Sequence, residues 1–379
     1  MNFELNEEQQ ALQSSLSRLL ADVYSFEQRR AVAASNNGWS QPVWQQLAEL
    51  GLTALPLPEA HGGFGAGAVD LLPVMQALGQ ALSMEPMLAS VVLGATALRL
   101  AGDDAVQARL LPDVASGEVR LAWAHDEPAA HHAPLWVETS ARPEGAHWRL
   151  DGGKCNVLHA PSAHHLVVSA RIAGAPDNAD GVALFLVEAN ARGLHCRAHR
   201  LVDDTVAGEL TFDAVKALPL GDPHDSARAR RAIDGTLAFG IAAVCADAVG
   251  AMESAYRLAI DYLHTRKQFD RLIGENQALR HRAAEMLVSL EMCRSMALVA
   301  AISADDLDAP EARADLARAK LMIGRHGRTV CHAAIQLHGG IGMTEEYAVG
   351  HCLRRITLID QLFGDVDAQA TKLAALTLE

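Results

Sequence analysis

The 379-residue chain has no C-x-x-C pair, no basic amino-terminal stretch and no unbroken apolar run of the ~18 residues that a membrane span needs. Each absence removes a class of protein. Six cysteines (Cys155, Cys196, Cys245, Cys293, Cys331, Cys352) lie at wide, irregular intervals, a pattern of buried thiols rather than of a zinc or redox pair. Seventeen histidines include the adjacent pairs His131/His132 and His164/His165, whose rings point away from a shared centre, so no metal is expected. The start, Met1 to Glu8, carries acid where a secretory leader would carry base, which leaves a cytoplasmic protein with no membrane attachment as the expectation. Lysine and arginine total 32 against 46 acids, and the net charge of −14 repels polyphosphate backbones and anionic lipid alike. Nucleic acid is therefore not an expected partner. Neither an internal repeat nor a low-complexity tract occurs.

What is present is core material: half the residues are hydrophobic and only 21 % are charged, enough for two or three domains. From Asn6 to Val23, Leu12, Leu16, Leu19 and Leu20 recur at helical spacing behind an acidic first turn. Further helices are predicted over Trp44–Leu50, Val69–Leu82 and Val91–Ala101, with a fixed loop at Leu55-Pro56-Leu57-Pro58-Glu59-Ala60-His61-Gly62-Gly63, where proline and glycine prohibit helix. Near Gly117 the character changes. Runs such as Trp148–Leu150, His165–Ala170 and Gly181–Val187, separated by Gly, Pro and Asp, predict a compact β-domain. After Pro223 the helical period returns: Leu237, Ile241, Val244, Ala248, Met252, Ala259 and Leu263 form one stripe along a helix of about ten turns. Leu279–Ala304 and Glu311–Leu337 share the period, and antiparallel packing of such helices makes a bundle. The expected organisation is an α+β fold with an all-α domain over 1–118, a middle β-domain over 119–222 and a helical bundle over 223–379.

Four stretches, in order and spanning the chain, resemble the acyl-CoA dehydrogenase family: Leu57-Pro58-Glu59-x-x-Gly62-Gly63-x-Gly65, Arg266-Lys267-Gln268-Phe269 with Asn276-Gln277-Ala278, Gln336-Leu337-His338-Gly339-Gly340-x-Gly342, and Thr344-Glu345-Glu346-Tyr347. The resemblance implies the family's fold, with a β-barrel or sandwich in the middle and a four-helix bundle at the carboxyl end. It also implies FAD as cofactor, an acyl-CoA thioester as substrate and an electron-transfer flavoprotein as partner. In such proteins the Arg-x-x-Phe and Gln-x-x-Gly-Gly segments approach the adenosine and pyrophosphate half of an FAD held mainly by the neighbouring subunit. Arg266 would offer a fork of donors, Phe269 an apolar face, and Gly339 and Gly340 close backbone approach; by similarity Gln268, Gln277 and Gln336 would add polar contacts.

The likeness breaks where flavin chemistry happens. The family's Thr-Glu-Pro turn reads Asp126-Glu127-Pro128, and its Trp-x-Thr-Asn turn reads Asn156-Val157-Leu158-His159, so the covering indole and its partner hydroxyl are gone. The general base, usually a glutamate near the carboxyl end, falls on Gly364 or Phe363 in Ile359-Asp360-Gln361-Leu362-Phe363-Gly364-Asp365-Val366, and the alternative place on the long helix falls on Gly240 beside Ile241. The chain therefore resembles the small subunit of two-component acyl-CoA dehydrogenases, such as the pimeloyl-CoA type and those acting on steroid side chains, pairing with a larger subunit in a heterotetramer. Other readings remain open: a self-sufficient dimer or tetramer using Asp365 as base, an oxidase or monooxygenase relative, or a non-enzymatic assembly subunit. Against Asp365 stands its ordinary use as a turn residue bonding its own backbone. Glu127 is expected to hold its loop, Glu345 and Glu346 to lie in a solvated turn or helix start, and Asp305-Asp306-x-Asp308 to form a solvated loop.

Overall fold

A computed structural model describes residues 7–145 and 147–378. Met1 to Asn6, which carry Glu4 of the acidic start and the first residue of the first predicted helix, lie outside the described residues. The chain divides into two compact units, one made of residues up to Ala31, Ala68–Ser83 and Ile241 onward, the other of Val32–Gly67 and Met84–Gly240.

The second unit is built on strands β1 (Leu121–Ala124), β2 (Ser140–Glu144), β3 (His147–Leu158), β4 (His165–Arg171), β5 (Val182–Glu188), β6 (Leu194–Arg200) and β7 (Val206–Pro219). Pairing runs β4-β2-β3-β7-β5 and returns from β5 to β4, so the sheet closes on itself, with β1 added parallel to β4 and β6 added to β7. Closure removes the open edges that strands would otherwise present. Alternate inward residues Leu166, Val168 and Ala170 of β4 meet Phe185 and Val187 of β5 and Leu210, Phe212 and Val215 of β7 in one apolar core. A helical stretch over Met87–Ala101, widely wound as far as Ala95, lies on β1: the Ser90 hydroxyl accepts the Leu121 N–H (3.0 Å), and a Cβ on Gly94 would fall 2.5 Å from that of Leu121. The predicted helix at Trp44 is Gln41–Glu49, opened by Pro42 in its first turn and capped by Ser40, and the Trp44 indole donates to the Gly117 carbonyl (2.8 Å). A helix over Asp104–Ala115, capped by Asp103, is added to the expected set.

The other unit is helical. The long helix, Ser226–Thr265, runs 40 residues and belongs to this unit from Ile241 on, and after it come Gln277–Asp305, Ala312–His338, Ala348–Gln361 and Val366–Leu378. Helix Ala68–Ala81 crosses the long helix at two reciprocal glycines: a Cβ on Gly79 would stand 2.1 Å from the Asp247 carbonyl oxygen, and one on Gly250 would stand 2.0 Å from that of Gln76. Side chains lock the crossing. Arg355 pairs with Asp247 (2.9 Å) and donates to the Ser83 carbonyl (2.6 Å), while Arg29 donates to the Leu82 carbonyl (3.2 Å). Asp305, read from sequence as part of a solvated loop, instead accepts the Ala68 and Val69 N–H groups (2.6 and 3.1 Å) at the amino end of Ala68–Ala81. A carboxylate there satisfies orphan donors and the helix dipole together, a role that only long-range folding can assign.

Two expectations need correction. Four of the cysteines are buried, but Cys196 on β6 is exposed, because β6 pairs with β7 alone and presents one face to solvent. Among the described residues two helices are also long and apolar enough to cross a membrane: 89 % of the apolar stretch in Ser226–Thr265 is buried inside the protein, against 39 % of that in Gln277–Asp305. The first is a core helix. The second leaves Leu287, Val288 and Met292 exposed on one side, the mark of a surface awaiting cover.

Candidate functional site

The long helix ends at Thr265, whose hydroxyl donates to the Asp261 carbonyl (2.8 Å). A short hairpin follows, Lys267–Gln268 against Arg271–Leu272, turned by Phe269 and Asp270 at φ 50° and 60°. Two successive left-handed residues suit a two-residue hairpin turn, and a non-glycine pair there is sterically unfavourable. The turn throws the Phe269 ring outward, 96 % exposed. Arg266 is exposed, and among the described residues no carboxylate pairs with it; its backbone is fixed by N–H donation to Tyr262 (2.9 Å) and by accepting from Ile273 (2.9 Å). Gln268 is exposed with its amide donating to the Lys267 carbonyl (2.9 Å), and Gln277, also exposed, opens the next helix.

Helix Ala312–His338 stops at Gly339, whose φ of 65° and ψ of −139° belong to a region open to glycine alone. A Cβ added at Gly339 or Gly340 would meet nothing within 4 Å, so the backbone of this turn faces free space. Met343 beyond it is 78 % exposed. Gln336 lies instead in a groove of about 380 Å³ with Arg282, Glu285, Ser289 and His332, between two helices.

His338, quoted in the motif but given no role by it, joins these two segments. Its buried ring lies between Tyr262 (centroids 4.7 Å apart) and Tyr347 (4.8 Å), and Nδ1 is 2.8 Å from the Ala334 carbonyl. Burial pushes its pKa below the usual imidazole value, so the ring is neutral. A signal existed in the sequence, since tyrosines stand four residues before Arg266 and seven after Gly340. Nothing in linear spacing says that they meet across one imidazole.

In the β-unit the two altered turns do come together, with the Cys155 N–H donating to the Asp126 carbonyl (2.9 Å). Asn156 and His159 are left-handed (φ 51° and 53°), while Val157 and Leu158 point inward and are buried. None of the four carries an indole or a hydroxyl, and the one flat ring, that of His159, is buried. Behind the turn Glu127 holds its loop, as expected. Its carboxylate accepts the Glu138 N–H (2.6 Å), the Thr139 N–H (3.0 Å) and the buried Lys154 ammonium (2.7 Å), which also donates to the His125 carbonyl and the Ser169 hydroxyl (2.9 Å each). Burial raises the Glu127 pKa, but the charge and hydrogen bond of Lys154 and the two amides outweigh it and leave the group below the usual carboxylate range. His125, burial first and the Lys154 charge second, is pushed down to about 3.

The segment where the family's base would stand is pinned and carries no free acid. Phe363 and Gly364 are left-handed (φ 59° and 96°); Lys320, buried beneath them, donates to the Asp360 and Gly364 carbonyls (3.0 Å each), and Gln369 donates to that of Phe363 (2.7 Å). Asp365 accepts the Ala368 N–H (2.9 Å) and opens helix Val366–Leu378 as its cap. Gly240 and Ile241 lie within the long helix. Glu345, exposed, is ion-paired with Arg354.

Comparison with known proteins agrees along the whole chain. Models of the acyl-CoA dehydrogenase N-terminal, middle and C-terminal domains match residues 6–118, 123–215 and 230–376. Acyl-CoA dehydrogenase FadE12 of Mycobacterium tuberculosis is 30 % identical over 360 residues, covering 92 % of this chain and 90 % of that one. Among solved structures, a variant of the Tcur3481–Tcur3483 steroid ACAD superposes with a TM-score of 0.88 at 31 % identity, covering 98 % of each chain. The ChsE4–ChsE5 complex from Mycobacterium tuberculosis gives 0.88 at 25 % identity, covering 100 % of this chain and 99 % of that one.

Proposed function

The chain belongs to the acyl-CoA dehydrogenase family, and from that premise we propose that it is the small subunit of a two-component enzyme, lending a dinucleotide half-site to a larger, catalytically complete partner. The observation that carries this reading is an asymmetry: Arg266, Phe269, Gly339 and Gly340 stand exposed, the guanidinium with no carboxylate partner among the described residues and the glycines with open space where a Cβ would be, while the base position holds Phe363 and Gly364. A 96 % exposed phenylalanine on a strained turn does nothing for the chain's own folding. A guanidinium fork, an aromatic face and an open glycine backbone suit a pyrophosphate and its adenosine, so this half fits FAD. The buried Val157 and Leu158 do not suit an isoalloxazine ring.

When bound, FAD supplies the hydride acceptor for α,β-dehydrogenation of an acyl-CoA thioester. In that reaction this chain's part is electrostatic and steric. Arg266 would neutralise pyrophosphate charge, Phe269 would cover the adenosine, and the open backbone at Gly339 and Gly340 would let the phosphates come close. The α-proton is left to the partner's base, and an electron-transfer flavoprotein would receive the electrons afterwards. The exposed apolar side of Gln277–Asp305 supports association with a homologous subunit. The names of the steroid ACAD and of the ChsE4–ChsE5 complex favour a hetero-oligomer acting on a steroid-like acyl group. Homodimeric catalysis by Asp365 gains no support from a carboxylate already capping a helix.

The test is to purify the chain alone and together with a larger homologue from the same host. A colourless chain, and a yellow complex whose FAD is lost on Arg266→Ala, are the expected results. A lone chain that is yellow and active, with activity abolished by Asp365→Ala, would reverse the assignment.

A further inference from the structure

The half-site consists of two segments 70 residues apart in sequence, and each is anchored on a different helix end. Arg266 to Phe269 continue the long helix; Gly339 and Gly340 follow Ala312–His338. For one pyrophosphate to meet both, their relative position must be held to a fraction of an ångström, since small errors in donor placement cost affinity steeply. The turn Gly339–Met343 is held by local bonds only, the Gly339 N–H donating to the Gln336 and Ile335 carbonyls, and nothing lies where a Cβ on Gly339 or Gly340 would reach, so nothing in it fixes its place relative to the hairpin. Rigidity has to come from the residue before it.

We propose that His338 is the positioning residue of this half-site, its ring wedged between Tyr262 and Tyr347 so that the glycine turn and the Arg266–Phe269 hairpin move as one body. The proposal rests on the half-site reading above. Its geometry is independent of any ligand. Tyr262 lies one helical turn before Arg266, whose N–H donates to the Tyr262 carbonyl (2.9 Å), so the ring contact of 4.7 Å reaches the hairpin through a single backbone bond. Tyr347, 4.8 Å from His338, immediately precedes helix Ala348–Gln361 and ties down the far end of the same loop. The Nδ1–H of the ring donates to the Ala334 carbonyl (2.8 Å), one of the orphan acceptors at the end of its own helix, which fixes the ring plane and the tautomer. Gly342 completes the packing, because a Cβ there would fall 3.0 Å from that of His338 and 2.9 Å from the Ile335 carbonyl oxygen. An aliphatic side chain could fill the space, but it would offer neither the hydrogen bond nor two flat faces.

The experiment is hydrogen exchange on the full-length chain, read in segments 266–273 and 339–347, with FAD affinity of the two-subunit complex as a second readout. His338→Ala is expected to speed exchange about tenfold in both segments at once while β4 stays protected, and to weaken FAD binding about tenfold. His338→Phe keeps a ring but no donor and is expected to retain coupled exchange, with FAD affinity within about threefold of the parent. Should His338→Ala fail to fold, Tyr347→Leu removes one side of the sandwich and is read in the same two segments. Exchange that rises in only one segment, or in neither, overturns the coupling. An Arg266→Ala complex that binds FAD like the parent would sink the half-site reading itself, and this proposal with it, whatever the exchange shows.

Discussion

Phe269→Ala separates folding from assembly. The ring is 96 % exposed, so removing it takes away almost no contact within the chain, and the alanine inherits the same left-handed backbone at φ 50°. Folding stability of the lone chain should change by less than about 0.5 kcal/mol. Covering a phenylalanine side chain is worth about 1.5–3 kcal/mol, so if adenosine and a partner surface enclose it, truncation should weaken FAD-dependent assembly about 10- to 150-fold. Urea melts of the lone chain and FAD titration of the two-subunit complex read the two quantities separately. Leu263→Ala, buried in the last turn of the long helix before the hairpin, should do the reverse, costing about 2–5 kcal/mol of folding stability. If Phe269→Ala destabilises the lone chain by more than about 1 kcal/mol, or leaves FAD affinity where it was, the argument from exposure is wrong.

Lys154→Met leaves Glu127 buried against two amides without its cation, and should cost about 3–5 kcal/mol in a thermal or urea melt. Adding Glu127→Gln should restore part of that loss, and strictly additive costs would contradict the network. Asp365→Ala should cost about 1 kcal/mol as a lost helix cap and leave turnover of the complex intact; a drop of about 100-fold would make it a base after all. His125 is neutral in the fold, its pKa pushed to about 3 from an ordinary 6.5, so below pH 6.5 the unfolded chain takes up the proton first. Its stabilising contribution is whole above pH 6.5 and drains away toward pH 3, by at most about 1.4 kcal/mol per unit. The urea midpoint of His125→Gln should therefore fall less steeply over that window than the parent's, and parallel profiles would refute the assignment.

Helix periodicity made most of the architecture legible. The stripe from Leu237 to Leu263 predicted the helix observed over Ser226–Thr265, and the β-branched runs His165–Ala170 and Gly181–Val187 became neighbouring strands paired along their length. Four short helices, Phe26–Ala34, Asp104–Ala115, Ala348–Gln361 and Val366–Leu378, were not legible from apolar period alone. In Ala348–Gln361 the inward face is partly polar, carrying His351, Arg355 and Asp360, so the stripe that marks a helix is broken by residues whose partners lie elsewhere in the chain. Motif spacing likewise singled out the residues of the proposed half-site but not how they are held. Gln336 shows the limit: it shares a motif with Gly339, yet the helical twist turns it into a groove beside Arg282 and His332.

Local chemistry is a property of the sequence: which residues turn, which stripe seeks a core, which position lacks a carboxylate where a base is needed. From that, family and fold class follow without coordinates. Tertiary structure alone assigned Asp305 to the start of a distant helix, set His338 between two tyrosines and left Phe269 facing solvent. The reason is range. Propensity and period act over a few residues, whereas a capping bond, a ring sandwich or an uncovered face exists only once segments far apart in sequence have been brought together.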